Sequence, residues 1–369
     1  MTAQLKGHAR TVAAAAGALL LIAAGYLVLG GTLDRWTEQQ MLDDACDGML
    51  AGDEARSLLG DGPISEKRDR AHSEGGLGED ADSSLYVRCV IQRTGEPPVD
   101  GSRLAGSVDV AVYGVPTMET ARGQRAGSLY WGTQSARPVP LGGGWTGFLS
   151  GEADQSAATA AVLLDCPDSR SDLLVALDAD VRAGALDNPE HRLRVARLAT
   201  ATAEKAAERS GCHASLGEPL RTVPLPTGED ESVPVARAKG TCAGVPGLQP
   251  SIARAWESAR GDSPRERCEL GDRWRGEFVL DAYYGPYAED MRFRLHHDSV
   301  EGGGEEKALT FSAECAPGEE PALFVLQGSV FESEKEREKY GKVAPGRAAL
   351  KAFAERSAQA HECSPPVSP

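Results

Sequence analysis

Eight cysteines constrain this chain more than any other feature: Cys46, Cys89, Cys166, Cys212, Cys242, Cys268, Cys315 and Cys363. All of them follow an apolar N-terminal run. An even number confined to one side of such a run reads as disulfides formed in an oxidising compartment. No C-x-x-C pair is present, so the usual zinc-ribbon and thioredoxin-like spacings are missing.

The cysteines fall into two sets of four. Cys46 and Cys242 each open a C-x-G, in "CDGML" and "CAGVP". Cys89 lies in "YVRCVIQ" and Cys268 in "RERCELG", and an alternating stretch ending in Tyr-Gly follows each, "SVDVAVYG" and "EFVLDAYYG". Cys166 ends "TAAVLLDC" and Cys315 ends "ALTFSAEC". A second apolar run and an Ala-rich helical segment carrying "AERS" come next in both halves, and each half closes on a cysteine. This ordered set reads as an internal duplication. Confining the pairs to each half leaves three pairings per half. The preferred set is Cys46–Cys89, Cys166–Cys212, Cys242–Cys268 and Cys315–Cys363, in which one bridge per half pins the opening segment to a strand and the other pins the last helix. Each closed loop of this size would contribute about 3–5 kcal/mol.

The run 11–33 holds no charged residue, with Lys6 and Arg10 before it and Asp34 after it. A membrane-spanning helix needs roughly 20 such residues, and only a helix satisfies the backbone of one isolated segment in lipid. The basic flank predicts a cytoplasmic tail at 1–10, an uncleaved single-pass signal-anchor at 11–33 and an extracellular remainder, with Trp36 at the interface. A cleaved signal peptide fits less well, because the run exceeds a signal h-region and no clear A-x-A site follows.

The expected organisation is a first module at 34–212, a Pro-rich linker at 213–241, a second module at 242–363 and a disordered tail at 364–369. The fold class is α+β, each module an antiparallel sheet flanked by helices. Helix is expected over 34–60, a polar loop over 61–84, and strands near 85–93, 106–114, 159–166 and 172–180. Asn188 and Pro189 mark a helix start. In the second half a helix is expected near 250–260, strands near 277–284, 290–298, 307–315 and 321–331, and a last helix from Pro345.

"CDGMLAGDEARSLLG" followed by "YVRCV" resembles a pattern in exported lipoproteins and membrane proteins of high-GC Gram-positive bacteria: a Cys-led helix ending in Leu-Leu-Gly, then a strand cysteine. Some members have a PsbP-like α/β/α sandwich. The resemblance covers residues 42–115 and, more loosely, their counterparts in the second half. It departs from the lipoprotein pattern in lacking a lipid-bearing cysteine. It implies an extracytoplasmic binding or interaction module and carries over no catalytic residue.

The net charge of -16 and an aromatic content of 5% argue against nucleic acid as a partner. "GTCAG" around Cys242 has the outline of a nucleophile elbow, with His296 or His297 as base, but the α/β alternation that motif needs is absent and Cys242 has a counterpart in Cys46. On a strand, His296 and His297 would point to opposite faces and could not share a metal. Cys212-His213 and His361 with Cys363 invite zinc, but the duplication favours disulfides. His72 and His191 lie in polar contexts. Asp178, Asp180 and Asp187 lack the spacing of an EF-hand loop. No P-loop, H-E-x-x-H, G-x-S-x-G or dinucleotide fingerprint is present. The expectation is a non-catalytic envelope protein without cofactor or metal that binds a protein or a small ligand. The alternatives are an envelope hydrolase with its site between the modules, or an accessory factor for secretion or wall assembly.

Overall fold

The computed structural model describes residues 32–74, 84–95, 104–116, 137–151, 156–169, 171–182, 184–225, 231–248, 252–272, 276–301, 309–315, 320–328 and 343–368. Within them the chain is α+β, with two antiparallel sheets and five α-helices.

The first half opens with α1 (Thr32–Asp44) and α2 (Gly52–Leu59). The single helix expected over 34–60 is broken at Cys46, Asp47 and Gly48, all with positive φ. Gly48 takes that conformation at no steric cost, and Gly244, at the same place in the second C-x-G, does likewise. Strands β1 (Ile64–Glu74), β2 (Ser84–Arg93) and β3 (Ala105–Pro116) follow. The hairpin β4 (Val139–Gly142) and β5 (Trp145–Ser150) turns through three positive-φ glycines. Then come β6 (Ala157–Leu164), β7 (Ser171–Val181) and α3 (Pro189–Ser210). Helix α3 starts where the Asn188 side chain accepts the Glu190 N–H, with Pro189 in its first turn, and stops at Gly211 in the left-handed region.

The second half holds the two-residue β8 (Val233–Pro234), β9 (Arg254–Glu257), β10 (Arg265–Gly271) and β11 (Gly276–Tyr283). Helix α4 (Pro286–Glu301), β12 (Leu309–Ala313), β13 (Ala322–Gly328) and α5 (Val343–Ala360) complete it.

The sheet orders are β1-β2-β3-β7-β6-β5-β4 and β12-β13-β11-β10-β9-β8. Written from the strand before the cysteine strand, both contain the same antiparallel series: β1-β2-β3-β7-β6 and β9-β10-β11-β13-β12. Cys89 on β2 and Cys268 on β10 hold equivalent places, and α3 and α5 follow β7 and β13, the fourth strand of each series. The backbone thus repeats the duplication seen in the cysteines. The copies differ between the third and fourth strands of the series, where one has the β4–β5 hairpin and the other α4.

Each sheet packs one face on its own helices. In the first half Val87, Val110, Val162, Val175 and Leu177 meet Leu42, Leu58, Val195 and Ala199. In the second, Leu270, Leu280 and Phe324 meet Leu350, Phe353 and Ala354 of α5. The four bridges are those expected, Cys46–Cys89, Cys166–Cys212, Cys242–Cys268 and Cys315–Cys363, and no cysteine is free. Parts of the other faces, called front faces below, meet each other. Phe148, Ala161 and Leu174 of the first half form one buried cluster with Tyr283, Tyr287, Ala288, Met291, Leu323 and Val325 of the second. The insertions that distinguish the copies supply Phe148 on one side and Tyr287, Ala288 and Met291 on the other.

Several expected elements differ. Residues 64–74 are strand β1, not loop, paired along their length with β2. The segment expected as a helix near 250–260 contains strand β9, because Ala255 and Trp256 each bury against a different layer, Ala255 in the second core and Trp256 beneath Arg137. The segment near 290–298 is helix α4, because Tyr287, Met291 and Leu295 recur at helical spacing on the face that meets the first sheet. Residues 364–368 are tied to β12, with Ser312 and Val367 forming a β-bridge. Within the expected linker, Leu220 and Val223 are buried in the first core. Thr32 and Leu33, the end of the apolar run, open α1; the rest of 11–33, with Lys6 and Arg10, lies outside the described residues. Among the described residues no helix is long and apolar enough to cross a membrane.

Candidate functional site

The front face of the first sheet carries a row of polar groups that runs from the partly exposed Arg88–Asp109 pair to the buried Thr159 and Ser150. Alternation along β2 and β3 sends Leu85, Val87, Cys89, Val108, Val110 and Val112 to the helix side, so Tyr86, Arg88, Asp109 and Tyr113 face the front. The Arg88 guanidinium grips Asp109 through Nε–Oδ1 at 2.9 Å and Nη2–Oδ2 at 2.5 Å, with side-chain exposures of 25% and 29%. Register places Asp109 opposite Asp178 on β7, Asp178 opposite Thr159 on β6, and Thr159 opposite Ser150 on β5. A polar row therefore crosses four adjacent strands.

Thr159 Oγ1 donates to Asp178 Oδ1 at 2.5 Å. Burial, reinforced by the charge of Asp109, pushes the Asp178 carboxyl up to about 6 against the opposing pull of that hydrogen bond and of Arg88. Ser150 Oγ and Tyr113 Oη are buried without a hydrogen-bond partner. The Tyr86 and Tyr113 rings lie 5.3 Å apart. Desolvation also raises the Tyr113 phenol above its ordinary range. A self-neutralising ion pair, a carboxyl that titrates near neutrality, orphan hydroxyls and two rings are equipped to hydrogen-bond and stack with a polar ligand.

The second sheet repeats the arginine–carboxylate pair. Arg267, directly before Cys268 as Arg88 is before Cys89, bonds Asp281 on β11 through Nε–Oδ1 at 2.7 Å and Nη2–Oδ2 at 3.0 Å. Here the pair is buried, Asp281 being 1% exposed. Glu269 Oε2 accepts from Arg137 Nη2 of the first half at 2.6 Å, and Arg137 lies over the Trp256 ring. Thr146 Oγ1 of the first half bonds Asp262 Oδ2 of the second at 3.0 Å. Of these acids, Glu269 and Asp281 are held by arginines and Asp262 by a threonine hydroxyl.

A third constellation sits between β10 and α5. Glu266, 4% exposed, accepts from Arg356 Nη2 at 2.6 Å and meets His361 Nε2 at 3.1 Å. The His361 ring stacks on Tyr284, whose hydroxyl meets Ser357 Oγ at 2.5 Å. Burial would raise the Glu266 carboxyl, but the His361 hydrogen bond and Arg356 outweigh it and hold the group below its ordinary value. These groups lock α5 onto the sheet.

The remaining expected candidates scatter. Cys242 is bonded to Cys268, which takes its sulfur out of nucleophilic chemistry. His296, His297 and Asp298 lie on helix α4, so the strand-alternation argument does not apply to them. Cys212 and Cys363 are in disulfides. His213 meets Asp168 at 3.2 Å on the surface, and His191 Nδ1 meets the Ala185 carbonyl at 3.0 Å, half-buried. His72 lies on β1. Asp178 and Asp180 are on β7 and Asp187 in the turn before α3. Among the described residues no group of three or more His, Cys, Asp or Glu could hold a metal. Trp36, on α1, is 64% exposed. Sequence reasoning missed both arginine–carboxylate pairs, although the arginine before the strand cysteine in each half was a signal for them.

Comparison with family models, with curated proteins and with solved structures finds no match.

Proposed function

We propose that this is a non-catalytic binding protein of the bacterial envelope, held at the membrane by the run 11–33, with its disulfide-stapled bulk outside the cell. One observation carries the reading: all eight cysteines are paired, four bridges in two like-folded halves, as befits a chain matured in an oxidising compartment. The resemblance to exported proteins of high-GC Gram-positive bacteria points the same way. The front face of the first sheet is the proposed binding surface, because its Arg88–Asp109 pair stays half-exposed while the equivalent pair in the second half is buried. Of the acids at the contact between the halves, Glu269 is engaged by Arg137 and Asp281 by Arg267.

Two experiments test the two parts. A membrane-impermeant lysine reagent and an external protease, applied to intact cells, should reach 34–363, and non-reducing peptide mapping of the same sample should return the four bridges. Protection of that region together with free thiols would overturn the envelope assignment. A photo-crosslinking residue in place of Gln92, at the rim of the front face, should trap an adduct in cells that one in place of Glu204, on the exposed side of α3, does not. Equal adducts, or none at Gln92, would overturn the surface assignment.

A further inference from the structure

The four sheet edges are protected in four different ways. An edge strand presents unpaired N–H and C=O groups and invites pairing with another chain unless it is short, charged, interrupted by proline or covered. Strand β1 reads ISEKRDRAHSE and is studded with charge. Strand β4 carries Pro140, which lies against Gly261 of the second half. Strand β8 is two residues long and ends in Pro234. Strand β12 reads LTFSA, without charge or proline.

The segment after Cys363 covers this last edge. Ser312 and Val367 exchange both backbone hydrogen bonds, N to O at 2.9 and 2.8 Å. Ser364 N–H donates to the Glu314 carbonyl at 2.7 Å, and Ser364 Oγ accepts from the Glu314 N–H at 3.0 Å. Arg347 Nη1 donates to Ser368 Oγ at 3.0 Å. The Cys315–Cys363 bridge tethers the segment beside the strand it covers, so its effective concentration there is high. Between Ser364 and Val367 lie Pro365 and Pro366, which have no N–H. The N–H groups of Ser364 and Val367 both point inward. The segment therefore pairs on one side and offers no donor between those residues on the other.

We propose that residues 364–368 are an edge guard, and that the surface they cover is a self-pairing site for a second copy of this chain. Strand β12, once uncovered, can meet its own copy antiparallel about a two-fold axis, an isologous contact. Its five residues bring no like charges together, whereas β1 paired with itself would oppose charged side chains. The guard keeps the protein from joining sheet to sheet along this edge.

The test uses the full chain in detergent, with its mass followed by light scattering across a wide concentration range. The intact chain should show no concentration-dependent dimer. A chain ending at Cys363, and separately Val367→Pro in the intact chain, which removes the donor to Ser312, should each give one. Adding Thr310→Lys, which places a charge on β12, should return both to the intact chain's behaviour. Bridge mapping confirms that each variant has kept its fold. A truncated, correctly bridged chain that behaves like the intact one would overturn the proposal. So would a dimer that Thr310→Lys leaves unchanged.

Discussion

The half-buried Asp178 and the buried Glu266 are carboxyls pushed in opposite directions, and their environments dictate opposite pH responses. Asp178 titrates at about 6 in the fold, against about 3.9 in an unfolded chain. Between those values the folded chain keeps a proton that the unfolded chain has released, so stability falls as pH rises through that window, by about 2–3 kcal/mol in all. Asp178→Asn removes this penalty. Urea unfolding should find the variant more stable than the parent at pH 7.5 and not at pH 4; equal gains at both would contradict the assignment. Glu266 is held below its ordinary value. Its contribution is present above the unfolded pKa and is lost as pH falls through the folded one. Glu266→Gln leaves Arg356 without its partner beneath α5 and should cost about 3–5 kcal/mol at neutral pH. The same unfolding measurement in acid should find a smaller difference.

At the scale of the element, the sequence is most legible where one face of a strand is buried and the other is not. Strands β2 and β3 and the second half of β7 alternate that way, and α3 carries its start signal in Asn188 and Pro189. The cysteine order made the bridges legible for a different reason: duplication reduced the pairing problem to each half. Removing one bridge tests how much it contributes. Cys166→Ala with Cys212→Ala opens a loop of 46 residues, and the chain-entropy estimate is a loss of about 4 kcal/mol, readable as a lower urea midpoint with a slope no smaller than the parent's, since the freed unfolded chain is less compact. Elements with mixed signals were misread. In α4 the series Met291, Phe293, Leu295 alternates like a strand, yet Phe293 is 52% exposed, and the true stripe is Tyr287, Met291 and Leu295. Strand β1 lacks an apolar alternation because it is an edge blunted with charge. Strand β10 is buried along its whole length despite Arg265, Glu266, Arg267 and Glu269, a composition that suggests surface until partners on both faces are known. The candidate site was barely legible, since its row of Ser150, Thr159, Asp178 and Asp109 is assembled by register across four strands distant in sequence.

For the whole molecule, the contact between the halves decides whether two duplicated folds behave as one body. Each half has its own core and its own two bridges, so either could retain its fold if the contact failed. The contact joins an apolar centre around Phe148 and Tyr287, whose rings meet edge to face at 5.7 Å, to a charged flank where Arg137 reaches Glu269. Arg265 lies over the rings of both Phe148 and Tyr283, so losing Phe148 also removes an aromatic partner of that cation. Phe148→Ala should therefore cost about 3–5 kcal/mol, and the cost should fall on the coupling between the halves rather than on either core. The parent should melt in one calorimetric transition and the variant in two, with the four bridges intact, and small-angle scattering should show a larger radius of gyration for the variant before either half melts. Leu350→Ala, inside the second core beneath α5, is the discriminating control: it should lower one transition without separating the halves. A Phe148→Ala chain that unfolds in one step with unchanged dimensions would mean that the charged flank alone holds the halves together. Arg137→Ala would then be the substitution that splits the transition.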